Sequence, residues 1–253
     1  MVRYDVAIAT TNPKVMYLIV ELVKTLNLSF IHCNATDHQC KESKVIITTQ
    51  SEALDEDINR SVIVDEDLNP DTTAIDIMVK ILAISDPPEF MIGIDPGMQY
   101  GIALLMNGIA VHSKKTQSPR ESALCTLFWS RHIRKRYNQE VLIRVGTGSR
   151  LYSVLYLRAI KQESNMIPIE LVDERHTTFV GGSDQSSAIL IASRKGRSIT
   201  QSDFVLEPKA GYIKSLKRFA QRFTGGRRTL STQEAQSVLT GEKTLEAILS
   251  DTS

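Results

Sequence analysis

The sequence contains few cysteines and no long apolar segment, and each absence excludes a class of protein. Only 3 of the 253 residues are cysteine, which argues against a disulfide framework and favours a reducing compartment. No run of about eighteen apolar residues occurs, so we expect no membrane-spanning helix. The first residues lead directly into a strand-like segment and show no signal-peptide pattern. We therefore predict a cytoplasmic protein that does not associate with membranes.

Two familiar kinds of site are incomplete in this chain. Four residues with zinc-binding side chains lie close together in sequence: His32, Cys33, His38 and Cys40. They lack the second cysteine pair that would complete a closed tetrahedral zinc site. Residues 146–149, Gly-Thr-Gly-Ser, lack the length and the lysine of a Walker loop, which argues against ATP binding.

The net charge of +1 hides a strong asymmetry along the chain. Residues 1–88 carry 7 basic and 14 acidic side chains and have a net charge of −7. Residues 194–228 carry 10 basic and 2 acidic side chains and have a net charge of +8. A segregated basic block is typical of a nucleic-acid-binding surface, and a solvated charged face is the alternative.

Residues 1–86 are predicted to form an acidic, three-layer α/β domain. Apolar β-type segments alternate with helical patterns, and Asn12-Pro13 supplies a capping side chain followed by proline at the first helical position. The second helix is expected over 70–84. Pro87-Pro88 marks the domain boundary, because paired prolines neither continue a helix nor pair in a central strand.

Residues 91–107 are the stretch around which the following domain is organised. Their sequence, M-I-G-I-D-P-G-M-Q-Y-G-I-A-L-L-M-N, predicts a buried strand that ends in Asp95, a turn, and a second apolar strand. Glycines at 93, 97 and 101 leave room beside the carboxylate for a metal ion or a phosphate. An acid before Pro-Gly is also ordinary turn chemistry, so further acids are needed to define a site.

Further acids follow later in the chain, after alternating helices and strands. A capping box at residues 118–121 opens a long helix, and strands are predicted over 140–145 and 167–172. The second of these strands leads into D-E-R-H-T-T at residues 173–178. Asp184 then begins another apolar helix, where an acid also serves as an ordinary helix cap.

Residues 90–195 resemble the RNase H-like superfamily, and within it the RuvC and YqgF (RuvX) branch. The resemblance is carried by I-G-I-D-P-G-M-Q-Y-G-I-A, V-D-E-R-H-T-T and D-Q-S-S-A-I-L-I-A-S. It implies a mixed sheet of strand order 3-2-1-4-5 with helices on both faces. The strand predicted over 140–145 is the fourth of this domain and ends in Val145-Gly146. RuvC enzymes carry an acid at this position, whereas the YqgF branch carries a glycine.

The resemblance also implies a metal-dependent nuclease. Asp95, Glu174 and Asp184 are the expected catalytic residues and ligands, and they would bind Mg²⁺ or Mn²⁺, which prefer carboxylate oxygens. Two such ions would activate a water and stabilise the leaving oxygen of a phosphodiester. The expected substrate is structured nucleic acid, such as a Holliday-junction-like DNA or a precursor rRNA.

Two other functions remain open from the sequence. One is a non-catalytic nucleic-acid-binding or scaffold module, with the acidic domain recruiting a protein partner. The other is an actin-like ATPase, which would need a second D-x-G hairpin that residues 1–88 lack.

Residues 196–253 are predicted to form a basic, helical C-terminal extension outside the family resemblance. Residues 209–223 alternate an apolar stripe with a cationic face, as expected of an amphipathic helix. A basic face neutralises phosphates well. The predicted nucleic-acid-binding residues of the extension and the segment before it are Lys195, Arg197, Lys214, Lys217, Arg218, Arg222, Arg227 and Arg228.

Overall fold

A computed structural model describes residues 3–82, 87–164, 167–174 and 184–250. The chain forms two compact units, Met1–Pro88 and Glu89–Ser253, which divide beside the Pro87-Pro88 pair. Most of the D-E-R-H-T-T motif, from Arg175 onward, lies outside the described residues. The α/β class predicted from the sequence is confirmed in both units.

The first unit is built on a four-stranded parallel sheet of order β2-β1-β3-β4. Its strands are β1 (Tyr4–Ala9), β2 (Phe30–His32), β3 (Ser43–Thr49) and β4 (Ser61–Val64). Its α-helices are α1 (Pro13–Thr25) and α2 (Pro70–Leu82). Helix α1 begins as predicted, because the Asn12 side chain accepts hydrogen bonds from the backbone N–H groups of Lys14 and Val15.

Both α-helices of this unit contribute to the core on one face of the sheet. Val15 and Ile19 of α1 and Ile77 of α2 share one apolar cluster with alternate residues of the strands. The opposite face is covered by a 3₁₀-helix, His38–Glu42, so in the described residues the third layer contains no α-helix.

A disulfide joins Cys33 and Cys40 on that opposite face. The cysteine count argues against a disulfide framework, and the Cys33–Cys40 bond contradicts that interpretation, while Cys125 takes no part in a disulfide. The disulfide also takes both sulfurs that a zinc site at His32–Cys40 would have needed. The prediction of a cytoplasmic location loses the support that it drew from the small, odd number of cysteines.

The second unit is built on a six-stranded mixed sheet of order β10-β9-β8-β5-β6-β7. The strands are β5 (Phe90–Pro96), β6 (Tyr100–Met106), β7 (Ile109–Thr116), β8 (Val141–Gly146), β9 (Ile169–Val172) and β10 (Arg197–Ser198). Strands β5 to β7 are antiparallel neighbours, whereas β8 and β9 run parallel to β5. The predicted order 3-2-1-4-5 is confirmed for β7-β6-β5-β8-β9, and β10 adds an antiparallel edge strand that was not predicted.

Six α-helices and a 3₁₀-helix, Gln201–Phe204, complete the described part of this unit. The α-helices are α3 (Pro119–Tyr137), α4 (Arg150–Glu163), α5 (Asp184–Ser193), α6 (Ala210–Phe223), α7 (Thr232–Thr240) and α8 (Leu245–Ser250). Side chains alternate across a strand, so Tyr100 meets Tyr152 and Tyr156 of α4 on one face. Ala103 packs with Ala188 and Ala192 of α5 on the other face. Within the described ranges, no helix is long and apolar enough to cross a membrane.

Helix α5 lies directly on the sheet because two strand residues have no side chain. A Cβ atom at Gly93 of β5 would overlap the carbonyl oxygen of Ala188, and one at Gly101 of β6 would overlap the backbone of Asp184. Glycine within a strand commonly marks such a close approach of another backbone. The two glycines therefore decide where the first residue of α5 is placed.

Candidate active site

Asp95 lies at the end of β5, on the sheet face that carries α5. It pairs with Gly101 of β6, and its side chain is half-buried. Burial raises the pKa of the Asp95 carboxyl to about 6, with further contributions from the charges of Glu174 and Asp184. A hydrogen bond with the Ser187 side chain opposes that rise. The three carboxylates predicted from the sequence therefore influence one another at the carboxyl end of β5.

Asp184 reaches this edge because α5 begins over Gly101. The backbone of Asp184 occupies the space that a side chain at Gly101 would need. Since Gly101 is the partner of Asp95 across the β5–β6 ladder, Asp184 is brought to the same end of the sheet.

Lys115 supplies a cation to this acidic edge. It pairs with Gly101 across the β6–β7 ladder, so Asp95, Gly101 and Lys115 form one row across three strands. Its Nζ lies 3.1 Å from Oδ2 of Asp184, and each of the two side chains is 41% exposed. Sequence reasoning missed Lys115, because only the pairing of three strands shows that it faces the acids.

Glu174 follows β9 and extends toward the loop after β8. Its Oε1 accepts a hydrogen bond of 2.8 Å from the backbone N–H of Gly148. A Cβ at Gly146 would overlap the same carboxylate, and one at Gly148 would crowd it. Gly146, at the end of β8, thus leaves the space that the Glu174 carboxylate fills. A larger side chain at this position, such as an acid, would overlap Glu174.

The donor chemistry fits a hard divalent cation, but the present spacing does not. Three carboxylates at one edge repel one another, and a cation such as Mg²⁺ relieves that repulsion through oxygen ligands. However, no group of three or more His, Cys, Asp or Glu side chains among the described residues is arranged to hold a metal ion. Lys115 and the Gly148 N–H group instead hold Asp184 and Glu174, respectively.

Several of the predicted nucleic-acid-binding residues make intramolecular contacts. Arg197 donates hydrogen bonds of 2.8 and 2.6 Å to both oxygens of the buried Asp203 carboxylate. This pairing and hydrogen bonds from Thr200 hold the pKa of Asp203 well below its ordinary value. Arg228 pairs with Glu234 at 2.9 Å. Such bidentate and paired arginines stabilise the fold of this region.

Two more of these residues are also engaged. Lys217 donates a hydrogen bond of 2.9 Å to Thr232, and Nε of Arg227 donates one of 3.0 Å to the carbonyl of Thr224. Lys195 lowers the pKa of Glu170, although the contacts of Glu170 with Gly196 and Arg144 contribute more.

The remaining predicted cations lie on α6. Lys214, Arg218 and Arg222 are exposed, whereas Leu216 and Phe219 on the same helix are buried. This division agrees with the amphipathic pattern read from the sequence. The helix therefore presents a row of three cations on the side away from its buried residues.

Comparisons with known proteins add little to this description. No family model and no curated protein matches the chain. Two similar solved structures are crystal structures of Marinitoga piezophila Argonaute, one with a 5′ OH guide RNA and the other with that guide and a target DNA. Each aligns at 10% identity with a TM-score of 0.27, covers 66% or 67% of this chain, and spans 39% of the Argonaute chain. A likeness at this TM-score carries no argument about fold or function.

Proposed function

We propose that this protein is a metal-dependent nuclease of RNase H-like type that hydrolyses phosphodiester bonds in structured nucleic acid. The observation that carries the proposal is the placement of Asp184 over Gly101, opposite Asp95, with Glu174 filling the space above Gly146. Three acids from distant parts of the chain are thereby brought to one end of a sheet with the strand order that the resemblance implies. A junction-like DNA and a structured RNA are the substrates to compare.

Asp95, Glu174 and Asp184 would hold Mg²⁺ or Mn²⁺ once Lys115 and Gly148 release their contacts. A divalent ion bound there supplies charge stabilisation and an activated water. The raised pKa of Asp95, which comes from burial and from the charges of the other two acids, supports this assignment, because a bound cation would offset both effects.

The cations of α6 would contact the phosphates of the substrate. Phosphate contacts of lysine and arginine supply affinity that does not depend on base sequence. Lys214, Arg218 and Arg222 are suited to this role, because all three are exposed.

Cleavage of labelled junction DNA and structured RNA in the presence of Mn²⁺ tests the proposal. We expect the wild-type chain to cleave one of them and Asp95→Asn to lose at least about 100-fold in rate, since the acid is needed for the hydrolytic step. Glu140→Gln is the matched control, because Glu140 is an exposed carboxylate paired with Arg134 at the entrance of β8. Equal cleavage by wild type and Asp95→Asn would remove the site assignment.

A second candidate is a nucleic-acid-binding module that does not cleave. It is favoured by the lack of a metal-holding arrangement in the described part of the chain. Calorimetric titration with Mn²⁺ separates the two candidates: no binding at millimolar Mn²⁺, with nucleic acid present, would support the module. Recruitment of a protein partner by the acidic first unit rests on its net charge of −7 and stays a prediction.

A further inference from the structure

A series of four aromatic rings leads from the acidic end of the sheet to the exposed end of α6. Tyr100, next to Gly101, lies 6.4 Å from Tyr152 between ring centroids. Tyr152 lies 5.8 Å from Phe219, and Phe219 is stacked on Phe223 at 6.1 Å with an interplanar angle of 11°. The series therefore connects the strand that pairs with Asp95 to the last residue of the basic helix.

The exposure of these rings rises abruptly at the end of the series. Tyr100, Tyr152 and Phe219 are buried, whereas Phe223 is 42% exposed. Phe223 is stacked against Phe219 with the two rings nearly parallel, while much of the Phe223 surface remains in water. An aromatic ring that is held by a second ring and open to solvent is suited to stack with a planar group.

Two cations accompany the open ring. Arg222 precedes Phe223 directly in the sequence, and Arg218 lies one helical turn before Arg222 on α6. The charges of Arg218 and Arg222 act on Tyr152, which shows that they lie near the aromatic series. Exposed rings beside arginines are the combination that proteins use to bind single-stranded nucleic acid, with bases stacked on rings and phosphates held by cations.

We propose that Phe223 stacks with an unpaired base of a nucleic acid strand whose phosphates contact Arg218 and Arg222. This inference rests on the proposed function and deepens it by naming single-stranded segments as the part of the substrate that is recognised. Bases within a duplex are already stacked on their neighbours, so they do not offer a free face to Phe223.

Fluorescence anisotropy on the metal-free chain tests the inference, with one labelled oligonucleotide presented as a single strand and as a duplex. Phe223→Ala is expected to weaken single-strand binding about 5- to 150-fold, the loss of one base–ring stack. Duplex affinity and the dependence of affinity on salt are expected to stay unchanged. Phe223→Trp is expected to restore single-strand binding, because it keeps an aromatic face.

Two controls make the result specific. Tyr17→Ala removes an aromatic side chain that is 67% exposed in the first unit and is expected to change neither affinity. Arg218→Ala with Arg222→Ala is expected to weaken binding of both nucleic acids and to flatten the salt dependence by about one to two units. Unfolding curves of the Phe223 variants check that α6 stays folded.

Several outcomes would overturn the inference. Unchanged single-strand affinity in Phe223→Ala, or an equal loss for single strand and duplex, would show that Phe223 does not stack with a base. No binding of either nucleic acid by the wild-type chain would remove the proposed function itself. Cleavage measured separately keeps these failures distinguishable, because the stacking test needs no metal ion.

Discussion

Lys115 and Asp184 form an ion pair of 3.1 Å at the acidic end of the sheet, on the face where α5 begins. The lysine is placed there by β7, and the acid by the close approach of α5 to Gly101. In the proposed nuclease the same carboxylate is a ligand for a divalent cation. Lys115 and the cation would therefore compete for Asp184.

Lys115→Met is accordingly expected to strengthen binding of Mn²⁺ about two- to five-fold, the magnitude of a partly exposed ion pair. Isothermal titration calorimetry measures the change. Lys114→Met is the matched control, because residue 114 pairs with Ile102 and lies on the opposite face of the sheet. An equal gain in both variants would indicate a general effect of net charge instead of competition for Asp184.

Asp95→Asn is expected to stabilise the metal-free protein at pH 8. The folded-state pKa of about 6 exceeds the ordinary value of 3.8, so the folded state binds more protons between these two values. Stability from this group is fully present below about pH 4 and is lost as pH rises through about 6. Removing the charge should restore about 1–2 kcal/mol at pH 8, after allowance for partial solvent screening.

Thermal unfolding of wild type and Asp95→Asn at several pH values measures this difference. The gap between the two melting temperatures should narrow as pH falls through about 6 and close below about 4, where Asp95 becomes protonated in the unfolded state as well as in the folded state. A gap that is constant with pH would show that folding does not raise the pKa of Asp95.

Gly101→Ala is expected to destabilise the second unit by about 1–3 kcal/mol, the usual cost of overpacking. The new methyl group would displace the backbone of Asp184 and the start of α5. Urea denaturation measures the effect. Gly211→Ala in α6 is the control, because among the described residues a Cβ at this position would have no atom within 4 Å apart from its chain neighbours and the backbone of its own helix. This variant is therefore expected not to lose stability. Alanine also favours a helix over glycine by up to about 1 kcal/mol.

Loss of stability in Gly101→Ala should be accompanied by loss of catalytic activity if Asp184 acts in the site. A variant as stable as wild type would mean that α5 can move away from β6 without cost.

Replacing Lys214, Arg218 and Arg222 together by alanine is expected to flatten the salt dependence of nucleic acid binding by about two units. Each phosphate contact contributes roughly 0.7–0.9 to the slope of log affinity against log salt concentration. Arg228→Ala is the comparison, because its side chain pairs with Glu234 and should contribute little to the slope. Affinity at several salt concentrations measures both, and a slope that the triple change leaves intact would place the binding surface elsewhere.

Local patterns in the sequence were enough to predict the succession of the longer strands and helices, but not β10 or the 3₁₀-helices. Asn12 and Ser118 cap helices as predicted, because capping depends on residues within one turn. The helical period alone says less about burial: Leu127 and Ile133 of α3 are buried, whereas Leu124 and Phe128 of the same helix are exposed. The helical periodicity of apolar residues does not show how much of the helix surface the neighbouring elements will bury.

The strand order and the acid at the end of β5 were also predictable, the first through the family resemblance and the second from an apolar run that ends in Asp95. Only the tertiary structure decided that Lys115 lies beside Asp184, that Gly146 leaves room for Glu174, and that Arg197 is held by Asp203. It also decided that Cys33 is joined to Cys40. Each of these relationships depends on strand register or on the distance between backbones, and the identity of neighbouring residues in the sequence determines neither.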